Sequence, residues 1–127
     1  SKSNFAPQNQ NKKELDKLPV KVLKPAGPLF FGSIISLMNT YNSSSKHEVL
    51  IIDITNITMV DLSGIYALED LIKTAKSKSI EVFVYNTNFN IENIFREVNF
   101  IKHIGSDYYK DSSKSIISII LKRYFNH

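Results

Sequence analysis

The stretch Val49-Leu50-Ile51-Ile52-Asp53-Ile54 decides the fold class, because it is a continuous run of mainly β-branched residues. Such a run predicts a strand in the centre of a sheet that is covered on both faces. Glu81–Tyr85 has the same character and predicts a second buried strand. Between the two strands, apolar residues recur at helical spacing. These residues are Ile65, Leu68, Leu71, Ile72 and Ala75. Strand, amphipathic helix, strand is typical of an α/β domain with a largely parallel sheet.

Further elements are predicted on both sides of this unit. Val20–Leu23 alternates with lysine and predicts a short edge strand, and Leu29–Phe31 predicts a second short strand. Ser33 is expected to cap the helix that follows, and residues 55–63 are expected to form a loop. Two later helices are predicted from the caps that would begin them. These caps are Asn90 and Asp111.

Charge is concentrated in the N-terminal part of the chain, which has 127 residues and a formal net charge of +4. Residues 1–24 hold six lysines against Glu14 and Asp16, whereas residues 25–127 hold ten basic and ten acidic side chains. We therefore expect a basic polar tether at residues 1–18 and one folded domain at residues 19–127. The tether is either a solvated leader or a juxtamembrane segment attracted to anionic lipid.

Several classes of protein are excluded or disfavoured by the composition. The absence of cysteine excludes zinc–thiolate sites, thiol nucleophiles and disulfide frameworks. No apolar run approaches the roughly 18 residues that a membrane span requires. The folded part carries no excess of basic residues and no reading motif, so we expect no nucleic-acid partner. Because the chain begins with Ser1 and not Met, we expect it to be part of a longer protein.

The residues that could support catalysis are few and scattered. His47, His103 and His127 lie far apart and lack metal-ligand spacing, so we expect no metal site. Asp53 and Asp61 could in principle pair, but Asp53 follows a buried strand and is expected to be hydrogen-bonded to the backbone. Without a nucleophile, a base and an oxyanion site, we expect no catalytic residues and no enzyme activity.

The most informative segment is Asp61-Leu62-Ser63-Gly64, which precedes the central helix. In one interpretation, Asp61 or Ser63 caps that helix and Gly64 permits a tight entry. In the other, Ser63 is a phosphorylation site, because backbone N–H groups at a helix N-terminus stabilise a phosphate. The residues alone favour the cap.

The segments VLIIDI (49–54), DLSGIYALEDLI (61–72) and EVFVYN (81–86) resemble the STAS domain, named for sulfate transporters and anti-sigma factor antagonists. The resemblance covers about residues 19–125. It implies an α/β STAS fold, with a mixed, mainly parallel sheet of four or five strands packed with about four helices. It also implies that Asp61, Leu62, Ser63 and Gly64 form an interaction or ligand loop.

The sequence resembles two branches of the family, each at a different segment. Free-standing anti-sigma factor antagonists carry a D-S-S-G-like motif whose second serine is phosphorylated. Ser63 matches that serine and Asp61 the preceding aspartate, whereas Leu62 departs from the usual middle serine. The C-terminal cytoplasmic domains of SulP-type sulfate and anion permeases commonly carry a GPLFFGS-like segment, and residues 27–33 match it without a mismatch. The permease branch is therefore favoured.

The permease resemblance implies a regulatory, non-catalytic domain at the cytoplasmic face of the cell membrane, within an integral membrane protein. Its implied partners are the transmembrane domain of the same permease, a second copy of the chain, and a protein kinase or regulatory protein. Phe30 and Phe31 are expected mainly to pack in the core, and an exposed one would be an interface residue. No cofactor is expected, with nucleotide binding as the alternative. The other function left open is an anti-sigma factor antagonist switched by phosphorylation of Ser63.

Overall fold

The computed structural model describes residues 15–42 and 46–125, which contain six strands and five helices. In chain order these are β1 (Val20–Leu23), β2 (Ala26–Leu29), α1 (Phe31–Asn42), β3 (Val49–Asp53), β4 (Asn56–Val60), α2 (Leu62–Ser77), β5 (Glu81–Tyr85), α3 (Phe89–Glu97), α4 (Phe100–Ile104), β6 (Tyr109–Lys110) and α5 (Ser113–Phe125). A single 3₁₀ turn, Ser106–Tyr108, precedes β6. Within these described ranges, no helix is long and apolar enough to cross a membrane.

Four strands form the main sheet in the order β1-β3-β5-β6, and neighbouring strands are parallel. In the central register, Ile51 of β3 lies between Val22 of β1 and Phe83 of β5. Every residue of β3 is buried, as the run of apolar residues predicts. The α/β class, the parallel arrangement and the edge position of β1 are confirmed.

The main sheet is covered on both faces because successive residues of a strand point to opposite sides. Leu50 and Ile52 of β3 belong to a cluster that also contains buried residues of α1, α2, α3 and α4. Val49 and Ile51 belong to a second cluster, which contains the buried isoleucines of α5. One layer of helices therefore covers one face, and α5 covers the other.

The second cluster also includes residues that precede β1. Leu15 is fully buried in it and Leu18 packs against it. The described fold therefore begins earlier than residue 19, the expected start of the domain, and includes residues 15–18 of the predicted tether. Residues 1–14 of that tether, and His127, lie outside the described residues.

A separate two-stranded sheet corrects two of the predicted elements. β2 and β4 pair in parallel, so the expected loop at residues 55–63 contains a strand. β2 covers Ala26–Leu29 and not Leu29–Phe31, because Phe31 already begins α1. β4 escaped prediction because it buries only one side chain fully, Ile57, and its polar residues resemble those of a loop.

Three of the predicted helix caps lie elsewhere. Ser33 is inside α1, and its hydroxyl donates to the Pro28 carbonyl oxygen at 2.9 Å. Asn88, and not Asn90, caps α3, since its side chain accepts from two backbone N–H groups. Ser112, and not Asp111, precedes α5 and accepts a hydrogen bond from the Ser115 N–H at 3.2 Å. Among the elements bounded within the described residues, the short helix α4 brings the helices to five, against about four predicted.

Candidate functional site

Two strand–helix junctions lie side by side and bring together the residues predicted to form a site. β2 ends at Leu29 and α1 begins at Phe31, whereas β4 ends at Val60 and α2 begins at Leu62. Leu29 and Val60 are partners in the parallel register of β2 and β4. Both helices therefore start at the same end of the small sheet. As a result, the GPLFFGS segment at 27–33 adjoins the DLSG segment at 61–64.

Gly64 allows these junctions to approach closely. A Cβ atom at this position would lie 3.0 Å from the Phe30 Cα and 2.8 Å from the Leu29 carbonyl carbon, and closer still to the Leu29 carbonyl oxygen. All three neighbours are backbone atoms, which cannot turn away as a side chain can. The glycine is thus required by the contact between α2 and the β2–α1 junction.

Asp61, and not Ser63, is the cap of α2. The Asp61 carboxylate accepts a hydrogen bond from the Gly64 N–H at 2.7 Å. The Asp61 N–H in turn donates to the Leu29 carbonyl oxygen at 3.4 Å, which ties the two junctions together. Ser63 is exposed, and within the described part of the chain its hydroxyl has no hydrogen-bond partner. Its phosphorylation stays a prediction.

Phe30 and Phe31 do not pack in the core, which corrects the expected main role. Leu29, just before them, is fully buried, whereas Phe30 is 39% exposed and Phe31 is 58% exposed. Leu62 on the neighbouring junction is exposed as well. The structure therefore places apolar and aromatic side chains on the surface around Ser63.

Both carboxylate oxygens of Asp53 are engaged by other groups, which excludes the alternative that Asp53 pairs with Asp61. It is buried and accepts hydrogen bonds from the Thr55 N–H at 3.0 Å and the Thr55 hydroxyl at 2.7 Å. Its other oxygen lies 3.6 Å from the Lys24 Nζ. Asp53 thus fixes the turn between β3 and β4. β4 then leads directly to the second junction.

The two described histidines lie in separate environments. The His47 Nε2 is 2.7 Å from the Tyr41 hydroxyl, which links the end of α1 to the start of β3. The His103 Nδ1 is 2.6 Å from a Glu69 carboxylate oxygen, which links α4 to α2. In the ranges 15–42 and 46–125, no three His, Asp or Glu residues cluster as a metal site would require.

A buried polar network that the sequence did not indicate supports the end of β5. The Asn86 side chain donates to the Tyr109 hydroxyl at 2.9 Å, and that hydroxyl donates to a Glu92 carboxylate oxygen at 3.2 Å. Burial and the nearby Glu92 raise the pKa of Tyr109 to about 12, against the hydrogen bond from Asn86. The network ties β5 and β6 to α3, so its role is structural.

Other exposed residues at the junctions were also missed. Ile35, Met59 and Tyr66 are all large, apolar or aromatic, and exposed. A signal was present in the sequence, because residues 25–45 and 54–60 contain no Asp, Glu, Lys or Arg.

Comparison with known proteins places these features in a family. The family model described as the STAS domain matches residues 10–114. The low affinity sulfate transporter 3 of Stylosanthes hamata is 37% identical over 65 residues, which are 51% of this chain and 10% of that protein. The chain thus spans about a tenth of the curated relative that it matches.

Solved structures resemble the fold at low sequence identity. A sulfate transporter family protein from Wolinella succinogenes has a TM-score of 0.72 at 16% identity, covering 83% of this chain and 89% of that one. The STAS domain of a SulP transporter from Vibrio cholerae has a TM-score of 0.69 at 19% identity, covering 83% and 84%. The overall structure of SLC26A9 has a TM-score of 0.60 at 16% identity, covering 84% of this chain and 21% of that one.

Proposed function

This chain belongs to the STAS domain family, and from that membership we propose that it is a regulatory, non-catalytic domain of a sulfate or related anion transporter of the SulP type. The domain acts through protein contacts on the transmembrane domain of the same permease. Its place is the C-terminal, cytoplasmic part of that permease, at the inner face of the membrane. The sequence relative supports this proposal, because it is a sulfate transporter of which this chain matches one tenth.

One structural observation carries the proposal of a contact-based role. The permease-like GPLFFGS segment packs against the DLSG segment at Gly64, so the two motifs form one surface. That surface exposes Phe30, Phe31 and Leu62 around the Ser63 hydroxyl. Exposed apolar side chains that are grouped in this way mark sites of protein contact more often than sites of chemistry.

The polar groups of the same surface support a non-catalytic role. Asp61 is engaged as the cap of α2, and Asp53 is buried with Thr55 and Lys24. In the part of the chain that the structure describes, no base lies within hydrogen-bonding reach of the Ser63 hydroxyl. A nucleophile requires such a base. A cofactor such as a nucleotide is not required for this role.

Phosphorylation of Ser63 by a protein kinase would act as a switch on this surface. A phosphate adds about −1.5 to −2 charges, next to the Asp61 carboxylate. The N-terminus of α2 can stabilise this charge, so the modified domain stays folded. The charge would, however, stand among apolar side chains, where an apolar partner cannot pair with it. Contact with the membrane domain would weaken as a result.

A free-standing anti-sigma factor antagonist is not favoured. The sequence relative is a sulfate transporter, and the similar structures include a sulfate transporter family protein, a SulP transporter domain and SLC26A9. The permease-like segment at 27–33 points the same way.

The first experiment locates the native protein. Cells are fractionated and blotted with an antibody against this domain, whose mass is 14.5 kDa. We expect a much larger band in the membrane pellet. A band near 14.5 kDa in the soluble fraction would contradict a permease domain.

The second experiment tests the switch by uptake of labelled sulfate in cells that express the intact protein. We expect Ser63→Asp to lower the uptake rate several-fold and Ser63→Ala to leave it unchanged. Ser118→Asp is the matched control, because Ser118 is an exposed serine on α5, at the opposite face of the main sheet. Equal uptake in Ser63→Asp and Ser118→Asp would reject the switch at Ser63. It would not contradict the proposal that the chain is part of a permease.

A further inference from the structure

Most of the exposed large apolar side chains lie on one part of the surface. Within residues 15–42 and 46–125 there are eight such side chains, and six of them surround the two strand–helix junctions. We name these six the junction face: Phe30, Phe31, Ile35, Met59, Leu62 and Tyr66. Each of the six is between 39% and 58% exposed. The other two are Phe89 at the start of α3 and Phe125 at the end of α5.

The elements that carry the junction face hold it together as one surface. Phe31 and Ile35 lie one turn apart on α1, and Leu62 and Tyr66 lie one turn apart on α2. The two helices pack against each other. Met59 is the register partner of Pro28, close to the point where both strands end.

The segments that carry most of the junction face are depleted of charged residues. Residues 25–45 and 54–60 contain no Asp, Glu, Lys or Arg, although these types make up 22% of the chain. Asp61 lies between the junctions, but its carboxylate is engaged by the Gly64 N–H. Depletion of charge around exposed aromatic residues is the compositional signal of the centre of a protein interface.

The junction face is as large as the largest apolar patch on a typical monomer, and such patches are often functional. Six side chains, each about half exposed, present on the order of 500 Å² of apolar surface. The largest patch on a typical monomer is about 300–600 Å² and is often functional. A surface of this size, without charge, is therefore expected to be covered in the working protein.

We propose that the junction face binds an apolar, uncharged surface of the membrane domain to which this chain is joined. This inference rests on the proposed function, since it requires that the chain be part of a permease. Anionic contact groups of a partner would be buried unpaired, because residues 25–45 and 54–66 contain no Lys or Arg. Cationic groups would meet only Asp61, whose carboxylate already caps α2. An anionic lipid surface would instead require lysine or arginine at the contact.

The area of the junction face favours the membrane domain over a second copy of this chain as the binding partner. A stable dimer in solution needs about 800 Å² on each partner, more than the junction face provides. A covalently joined partner is present at an effective concentration in the millimolar range, so a smaller contact suffices. The relative that this chain matches has nine tenths of its length outside the match, which leaves ample chain for such a partner.

Single cysteines test the proposal directly, because the 127 residues contain none. Phe31→Cys and Met59→Cys place a thiol on the junction face, on α1 and on β4. Phe125→Cys is the control, since Phe125 has similar exposure and lies on α5, across the main sheet. The rate of reaction with a bulky maleimide is measured in the isolated chain. It is then measured in the intact protein in inside-out vesicles, after any cysteine outside these residues has been replaced.

The expected result is a loss of reactivity that is specific to the junction face. In the intact protein, both face thiols should react at least ten times more slowly than in the isolated chain, and the control should change less than twofold. Circular dichroism of each isolated variant verifies that it is folded.

Four outcomes would overturn the proposal. Unchanged rates at both face positions would show that the face is free in a permease that is otherwise intact. Protection that already appears in the isolated chain and grows with its concentration would assign the face to a second copy. Protection that is lost when detergent replaces the bilayer, with the protein still folded, would assign it to lipid. Absence of the intact protein from the membrane fraction would defeat the proposed function as well.

Discussion

Replacement of Gly64 by alanine tests how the two junctions are joined. The added Cβ would lie 2.8 Å from the Leu29 carbonyl carbon and 3.0 Å from the Phe30 Cα. Non-bonded carbon atoms prefer separations of about 3.5–4.0 Å, so the first turn of α2 must move away from Leu29 by roughly 1 Å. Because the obstructing atoms are backbone, the movement has to separate two packed elements.

The loss of unfolding free energy in Gly64→Ala can be estimated from two opposing effects. Overpacking of a well-packed site costs about 1–3 kcal/mol, and the backbone contacts place Gly64→Ala at the upper end. Alanine regains up to about 1 kcal/mol of helix propensity. The net loss of unfolding free energy is therefore about 2 kcal/mol, which corresponds to a fall in the thermal midpoint of roughly 6–10 °C for a domain of this size.

Gly32→Ala supplies the matched control, since Gly32 also lies in the first turn of a helix. A Cβ at Gly32 would meet nothing within 4 Å, so this variant should keep or slightly raise the stability. The midpoints of urea unfolding and of thermal melting are measured for both variants. Equal midpoints for Gly64→Ala and Gly32→Ala would refute the argument that the close approach requires glycine.

Three further predictions concern other contacts. Asp61→Ala should lower the unfolding free energy by about 1 kcal/mol in urea, and Ser63→Ala should not, because only Asp61 caps α2; equal losses would contradict this assignment. Asp53→Ala should cost about 1–3 kcal/mol in the same assay, since it leaves the Thr55 N–H without its acceptor; a neutral result would contradict it. The pKa of Tyr109 is raised to about 12, so the protonated phenol stabilises the fold fully below pH 10, and that contribution is lost as the pH rises toward 12. The advantage of the wild type over Tyr109→Phe in urea should shrink over this interval, and a constant difference through pH 12 would disprove the coupling.

The parts of the fold that are buried on both faces could be predicted from the sequence. β3 and β5 are nearly continuous apolar runs, and the apolar residues of α2 recur at helical spacing, so each pattern has one reasonable interpretation. β4 could not be found in this way. A two-stranded sheet that packs on one side needs few buried residues, and its Asn and Thr side chains have the composition of a loop.

The candidate site was predicted only in part, for a related reason. Its loop was found because Asp61 and Gly64 are residue types with specific backbone roles. The exposure of Phe30 and Phe31 was missed, because an aromatic pair beside a predicted strand is usually core. The structure instead begins α1 at Phe31, which lies outside β2 and is exposed, and the first buried residue of the helix is Ile34. The error in one boundary therefore became an error about the surface.

The separation between the core and the junction face bears on how the domain could be regulated. Leu29, Ile34 and Ile65 are buried in the core cluster on one face of the main sheet, whereas the phenylalanine side chains beside them are exposed. We therefore expect phosphorylation or substitution at the surface to change the proposed contact without unfolding the domain. The core and the junction face meet at Gly64, because the backbone of α2 contacts the β2–α1 junction there without an intervening side chain. Under the proposed switch, we therefore expect a change of charge at Ser63, one residue away, to act on the exposed surface directly and without a rearrangement of the core.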